Sequence, residues 1–407
     1  MPDNSLRGGW RSSIASMLRN RNFVALLSAN TILGAAFPIQ LILGGLTGLM
    51  LAPSPGLATL PASVQTLAGL VAAAPFSLLM GRLGRRAGFA LGALMTLVGA
   101  LAATQALYSG NFALHCLAHF LMGAGWASFQ YFRFAAGEVV DTSLRPVAIS
   151  LMLTSLLIAA IVGPQLFIGA KDALAPIPFA GAYAAVAVVS VLGLLPLAAV
   201  RMPVPSQAAT GPGNSWFAAL SALRRRPVKR AVGIAAASQG VMVFLMVPTP
   251  IAMIACGFSE DTASDVIRWH IVAMFAPSFF TGFLIQRFGA NTIAMCGLVT
   301  IVAAAGAAAL GISALHFYGS LIILGLGWNF SFIGATTMLA AALSEDEKAA
   351  VQGANDTIIA LVSTVCAFAA GFVVSGLGWA VLATVSGAIV LLVLAALAFG
   401  RGPVAEA

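Results

Sequence analysis

Charge is scarce in this sequence. Only 8% of its 407 residues are Asp, Glu, Lys or Arg, against about 25% in soluble domains, which excludes a water-soluble globule. Cysteine is scarce too. The four present, Cys116, Cys256, Cys296 and Cys366, all fall in apolar runs without paired spacing, so neither a disulfide framework nor a zinc site is indicated. No Gly-x-x-x-x-Gly-Lys-Ser/Thr loop occurs, which excludes a nucleotide-driven motor in this chain at the motif level. A membrane enzyme needs carboxylates or histidines clustered at one depth, whereas the apolar runs here hold scattered single polar residues. Nothing asks for a cofactor or a metal.

What the chain has in abundance is apolar length. Hydrophobic residues make up 60% of it, and the runs fall near 23–48, 57–80, 88–107, 112–134, 146–169, 178–200, 231–256, 262–286, 292–312, 317–343, 353–375 and 378–399. Each is long enough to cross a bilayer as a helix, which takes about 20 residues. The expected fold is an all-α membrane protein of twelve transmembrane helices. Residues 1–22 are polar and the first apolar run is long enough to span, so no cleavable signal peptide is expected.

The net charge of +8 is explained by where the basic residues stand. One set of connections holds Arg7, Arg11, Arg19, Arg21, Arg82, Arg85, Arg86, Arg145, Arg201, the run Arg224 to Arg230, Arg287, Lys348 and Arg401. The opposite set holds Lys171 and Arg268, with Arg133 at the edge of span four. This positive-inside asymmetry predicts that both termini face the cytoplasm. The run Arg224-Arg225-Arg226-Pro227-Val228-Lys229-Arg230 then reads as a topological anchor rather than a nucleic-acid patch.

The two halves of the chain echo one another. Ser28 and Pro38 in span one match Ser238 and Pro248 in span seven. Leu79-Met80-Gly81-Arg82-Leu83-Gly84 matches Leu284-Ile285-Gln286-Arg287-Phe288-Gly289, and Gly123-Ala124-Gly125-Trp126 matches Gly325-Leu326-Gly327-Trp328. Three matches in one order, at offsets near 205, predict a duplicated six-helix bundle. The expected organisation is a cytoplasmic tail (1–22), a first bundle (23–200), a Pro-, Gly- and Ser-rich linker (201–230), a second bundle (231–399) and a tail (400–407).

Such a repeat is the arrangement of the major facilitator superfamily, whose substrate site lies near the midplane. Ser77-Leu78-Leu79-Met80-Gly81-Arg82-Leu83-Gly84-Arg85-Arg86 resembles that family's Gly-x-x-x-Asp-Arg-x-Gly-Arg-Arg loop, departing at Ser77 and Gly81. The resemblance implies a cytoplasmic gate of Arg82, Arg85 and Arg86. Because the acidic position is Gly81, the nearest carboxylate partners are Glu138 and Asp141. The same arginines also serve as inside anchors. Ala118-His119-Phe120-Leu121-Met122-Gly123-Ala124-Gly125 resembles the family's Ala-Arg-Phe-x-x-Gly-x-Gly motif, with His119 at the Arg position that many members use in proton coupling. Gly163-Pro164 is similar to a pair common in exporters, without their surrounding glycines.

Two further runs, Arg268-Trp269-His270 through Met274-Phe275-Ala276-Pro277-Ser278-Phe279-Phe280-Thr281-Gly282, and Tyr131-Phe132-Arg133-Phe134-Ala135-Ala136, are similar to a branch of bacterial facilitators that includes riboflavin transporters. That resemblance implies a monomeric inner-membrane carrier of a small solute, with protons as a second partner if His119 couples.

Polar side chains inside lipid spans are costly and should face a cavity. On span four His119, Trp126, Gln130 and Arg133 share one helical face. Span ten offers Trp328 and Asn329, span one Asn30 and Gln40, span seven Gln239, and span eight His270 beside Trp269. The middles of the first six spans hold no carboxylate, which disfavours a permanent cation. Aromatic plates with amides suit a neutral, flat, hydrogen-bonding heterocycle. Plainer roles stand beside these: Trp269 in an interfacial belt, Asn30 and Gln239 as helix glue, Asn355 and Asp356 as capping or gate contacts. His115 and His119 share a face, but no third ligand lies near them in sequence. The expected activity is import of an aromatic solute, riboflavin being what the resemblance implies, with export of amphipathic compounds on the same fold as the alternative.

Overall fold

Backbone amides in lipid must be satisfied within their own segment, so apolar runs of this length resolve as helices. A computed structural model describes residues 16–141, 144–202 and 221–399. Arg7, Arg11, Arg401, both tail ends and most of the 201–230 linker lie outside the described residues. Among the described residues, eleven helices are long and apolar enough to span, and a bent pair brings the number to twelve.

The spans are one, Arg21–Leu51; two, Pro55–Leu83; three, Arg85–Ser109; four, Phe112–Glu138; five, Val147–Ala170; and six, Ala180–Ala199. Then come seven, Arg226–Ala255; eight, Glu260–Phe275 with Ser278–Phe288; nine, Ala290–Ala309; ten, Ala314–Ala341; eleven, Ala350–Leu377; and twelve, Trp379–Ala398. Span eight bends by 40° at its break, where Pro277 supplies no N–H to the helical ladder.

Helix ends follow local chemistry more than hydropathy. Asn20 accepts from the Asn22 and Phe23 amides, Asn111 from Leu114, and Ser259 from Thr262, each capping the span that follows. The helix of span eleven begins at Glu345, about two turns before the apolar run. Hydropathy misses such a start because its first residues are charged. Within the spans, hydroxyls fold back onto carbonyls four residues earlier, as Thr31 to Leu27, Thr96 to Gly92 and Ser190 to Val186. Large apolar side chains such as Val98, Leu101, Leu195, Val365 and Leu392 stand exposed, as a lipid-facing surface requires.

The chain divides into two compact units, Met1–Gln40 with Val71–Ala209, and Leu41–Leu70 with Thr210–Ala407. In unit one, spans three and four meet at Gly92 and Gly125, where a Cβ on Gly125 would lie 2.5 Å from the Gly92 carbonyl oxygen. In unit two, spans nine and ten meet at Gly297 and Gly327, where a Cβ on Gly327 would lie 2.9 Å from the Gly297 oxygen. Small residues let these backbones approach, which is how helices associate where lipid removes the hydrophobic drive. Gly84 and Gly289, which open spans three and nine, both adopt positive φ, 87° and 84°. The two glycine motifs matched in the sequence thus share local backbone geometry.

Candidate functional site

Each unit presents an aromatic plate built on one of the repeated tryptophans. In unit one the Trp126 ring stacks on Phe37 of span one at 4.2 Å and 15°, with Phe129 edge-on at 6.3 Å. Gln130, one turn on, is exposed where span four breaks between its two helical pieces, Phe112–Phe129 and Phe132–Glu138. In unit two the Trp328 ring stacks on Phe332 at 4.8 Å and 16°, with Phe275 edge-on at 6.2 Å. Its indole N–H donates to Gln239 Oε1 at 2.7 Å. That bond ties span ten to span seven and fixes the orientation of the ring.

The other polar residues of the spans sit deeper. Asn30 is buried and donates to the Met152 carbonyl at 3.0 Å and to Ser155 Oγ at 2.8 Å, joining span one to span five. Gln40 is buried. His119 is fully buried, with Nε2 2.7 Å from the Tyr183 hydroxyl. The same hydroxyl lies 3.4 Å from His115 Nε2, so three rings from spans four and six converge on one oxygen. No group of three or more His, Cys, Asp or Glu with metal-holding geometry occurs among the described residues.

In unit two His270 is fully buried, and its Nδ1–H donates to the Leu321 carbonyl at 2.7 Å. Asn329 is fully buried as well. Its amide nitrogen donates to the Met274 carbonyl at 2.6 Å and to Ser278 Oγ at 2.7 Å, and its oxygen accepts from Thr281 Oγ1 at 2.7 Å. At one end of the same bundle Asp265 bonds Arg268 and accepts from the Tyr318 hydroxyl at 2.7 Å.

Among the arginines after span two, Arg85 makes an ion pair with Glu138. Its Nη2 stands 2.6 Å from Oε1, and its Nε 3.2 Å from both carboxylate oxygens. The guanidinium also lies over the Tyr131 ring at 5.9 Å, and Tyr131 donates to the Ala73 carbonyl at 3.0 Å. Arg82, Arg86 and Asp141 are exposed. Unit two has an ion pair of its own, Arg225 Nη2 to Glu347 Oε2 at 2.9 Å. That bond and those from Ser344 hold the Glu347 carboxyl below the usual carboxylate range.

The structure thus brings Trp126 to Phe37 and Trp328 to Gln239, and it places Asn30, His119, His270 and Asn329 inside helix packing. Sequence reasoning missed Phe37, Tyr183, Ser278, Thr281 and Phe332. Phe332 carried a usable signal, standing four residues from Trp328 on the same helical face, and Ser278 and Thr281 lie in the run from Met274 to Gly282 that carries the resemblance. Phe37 and Tyr183 enter through packing between spans, which periodicity does not report.

Comparison with known proteins fits this architecture. No family model matches the chain. The riboflavin transporter RfnT of Brucella anthropi is 37% identical over 359 residues, 88% of this chain and 90% of that protein. Among solved structures, the nucleoside transporter NupG superposes with a TM-score of 0.71 at 13% identity, over 93% of this chain and 100% of that one. The xylose transporter XylE from E. coli gives 0.70 at 11% identity, over 95% and 99%. Those two show the fold, and the relative from Brucella anthropi shows the family. With eleven spans and a bent pair as a twelfth among the described residues, repeated glycine contacts and a relative at this identity over most of its length, the chain belongs to the major facilitator superfamily and is a multi-pass secondary transporter.

Proposed function

We propose that this transporter carries riboflavin into the cell by alternating access. The observation that carries the reading is the 37% identity, spread over nearly the whole chain, to a riboflavin transporter. The chemistry of the two plates supports it. Trp126 on Phe37 and Trp328 on Phe332 offer flat apolar faces, while Gln130 and Gln239 offer amide donors and acceptors. An isoalloxazine ring is flat, neutral and edged with hydrogen-bonding groups, so a stacked tryptophan contributes on the order of 1 kcal/mol beyond area burial.

In this reading the ion pairs Arg85–Glu138 and Arg225–Glu347 face the cytoplasm and act on the balance between conformations, not on the solute. The direct test is uptake of labelled riboflavin by a riboflavin auxotroph expressing the chain. Growth rescue with saturable uptake supports import. Riboflavin loss from preloaded cells without uptake turns the reading to export, and neither result removes riboflavin as the solute.

A further inference from the structure

Span ten meets span eight along a single stripe. Leu321, Gly325 and Asn329 stand four residues apart on one face of the helix. Leu321 gives its carbonyl to His270 Nδ1. Gly325 lets the span eight backbone come so close that a Cβ would stand 2.6 Å from the His270 oxygen and 3.0 Å from the Met274 nitrogen. Asn329 completes the stripe at the bend itself.

The bend leaves backbone groups to be satisfied. On its near side the Ala276 N–H still reaches the Val272 oxygen at 2.8 Å, and on its far side Thr281 N–H reaches the Pro277 oxygen at 2.9 Å. Between them the Met274 carbonyl is met by the Asn329 amide at 2.6 Å, while Ser278 and Thr281 beyond the break take the other positions of the same amide. A carboxamide offers two N–H donors, and here both are spent across the bend, one on each side of it. The neighbouring residue reads the same place: Phe275, last before the break, lies edge-on to Trp328.

We infer that Asn329 is a positioning residue, clamping the proline bend of span eight from span ten and so setting the ring contact between Phe275 and Trp328. An amide buried in this way is costly to leave unmatched, so its removal loosens the hinge and leaves the Met274 carbonyl to find another donor. The clamp acts on turnover through the angle of span eight, and Asn329 does not touch the solute.

The test places spin labels through Asp261→Cys and Gln286→Cys, exposed positions on either side of the bend, in a background lacking the four native cysteines. The parent should give one narrow distance. Asn329→Ala and the near-isosteric Asn329→Asp, which loses both donors, should broaden it, and straightening the helix would lengthen it by roughly 2 Å. Thr281→Val should broaden it less, which keeps the test alive if the Asn329 variants fail to fold. Riboflavin uptake in Asn329→Asp should slow by about fivefold or more while affinity changes by less than about twofold. A parent-like distance distribution in Asn329→Asp and Thr281→Val overturns the clamp, as does a large affinity loss at unchanged turnover. The uptake arm rests on the riboflavin reading, whereas the label distances need no substrate. Shifted distances in a protein that does not carry riboflavin therefore leave the clamp standing and remove the substrate assignment.

Discussion

Unit one and unit two share their scaffold and differ in their chemistry. Both bring two helices close at a glycine pair, Gly92 with Gly125 and Gly297 with Gly327, and in both the first helix of that contact opens on a glycine with positive φ. Around that common frame the tryptophans are held differently. Trp126 stacks on a ring from another span and keeps part of its surface open, while Trp328 is 9% exposed and bonded at its edge by Gln239. The buried polar clusters diverge further: two histidines and a tyrosine in unit one, an amide and two hydroxyls in unit two. The contacts that helix packing requires recur in both units, and the polar clusters around them do not.

The largest effects should come where the repeats agree. Gly125→Val and Gly327→Val each put a side chain against a backbone carbonyl that cannot step aside. Overpacking of this kind costs about 1–3 kcal/mol or more. Thermal unfolding in detergent should show both variants strongly destabilised and by similar amounts. A tolerant Gly327→Val beside an intolerant Gly125→Val would mean that the two contacts are not equivalent.

Next in size are the plates. Trp126→Ala and Trp328→Ala should each weaken riboflavin binding by about fivefold or more, read from quenching of riboflavin fluorescence, while the Phe replacements stay mild. The comparison sharpens at Gln239. Its loss frees the Trp328 ring without removing it, so Gln239→Leu should cost about threefold, in line with one hydrogen bond. If Gln239→Leu is as severe as Trp328→Ala, the amide itself meets the solute.

How far the sequence could be read follows the same division. Helix number and the glycine contacts were legible, because each is a local or periodic consequence of living in lipid. The tryptophans were legible as a repeated pair. What surrounds them was not: Phe37 reaches Trp126, and Tyr183 reaches His119, across span–span contacts that no spacing encodes. Polar residues in spans were expected to face a cavity, yet Asn30 and Asn329 are buried in bonds to neighbouring helices. Cost in lipid is relieved equally well by a partner helix as by a wet cavity, and sequence does not say which relief a residue takes.

The cluster His115, Tyr183 and His119 is the point where unit one departs most from unit two. If it moves a proton with the solute, His119→Gln should flatten the pH dependence of uptake and spare counterflow exchange, since exchange needs no net proton movement. His270, tied to the Leu321 carbonyl in unit two, serves as the control: His270→Gln should keep the parent's pH dependence. A parent-like profile in His119→Gln would assign the cluster to packing.

The smallest effect concerns one ion pair taken from each unit. Arg85–Glu138 and Arg225–Glu347 are both partly exposed, so neither is worth much for stability. Arg85→Ala should leave riboflavin affinity within about twofold and slow turnover, the signature of a shifted conformational balance rather than a lost contact. For Arg225–Glu347 the sign of the pH effect can be worked out. The Glu347 carboxyl is lowered in the folded chain, chiefly by its bond to Arg225. Its contribution is therefore complete above the ordinary Glu value of about 4.3, and it is lost as pH falls from there through the lowered folded value. Melting curves of the parent and of Arg225→Ala should differ slightly at neutral pH and converge as pH drops through that window. A gap that widens on acidification would mean that Arg225 acts through a group other than Glu347.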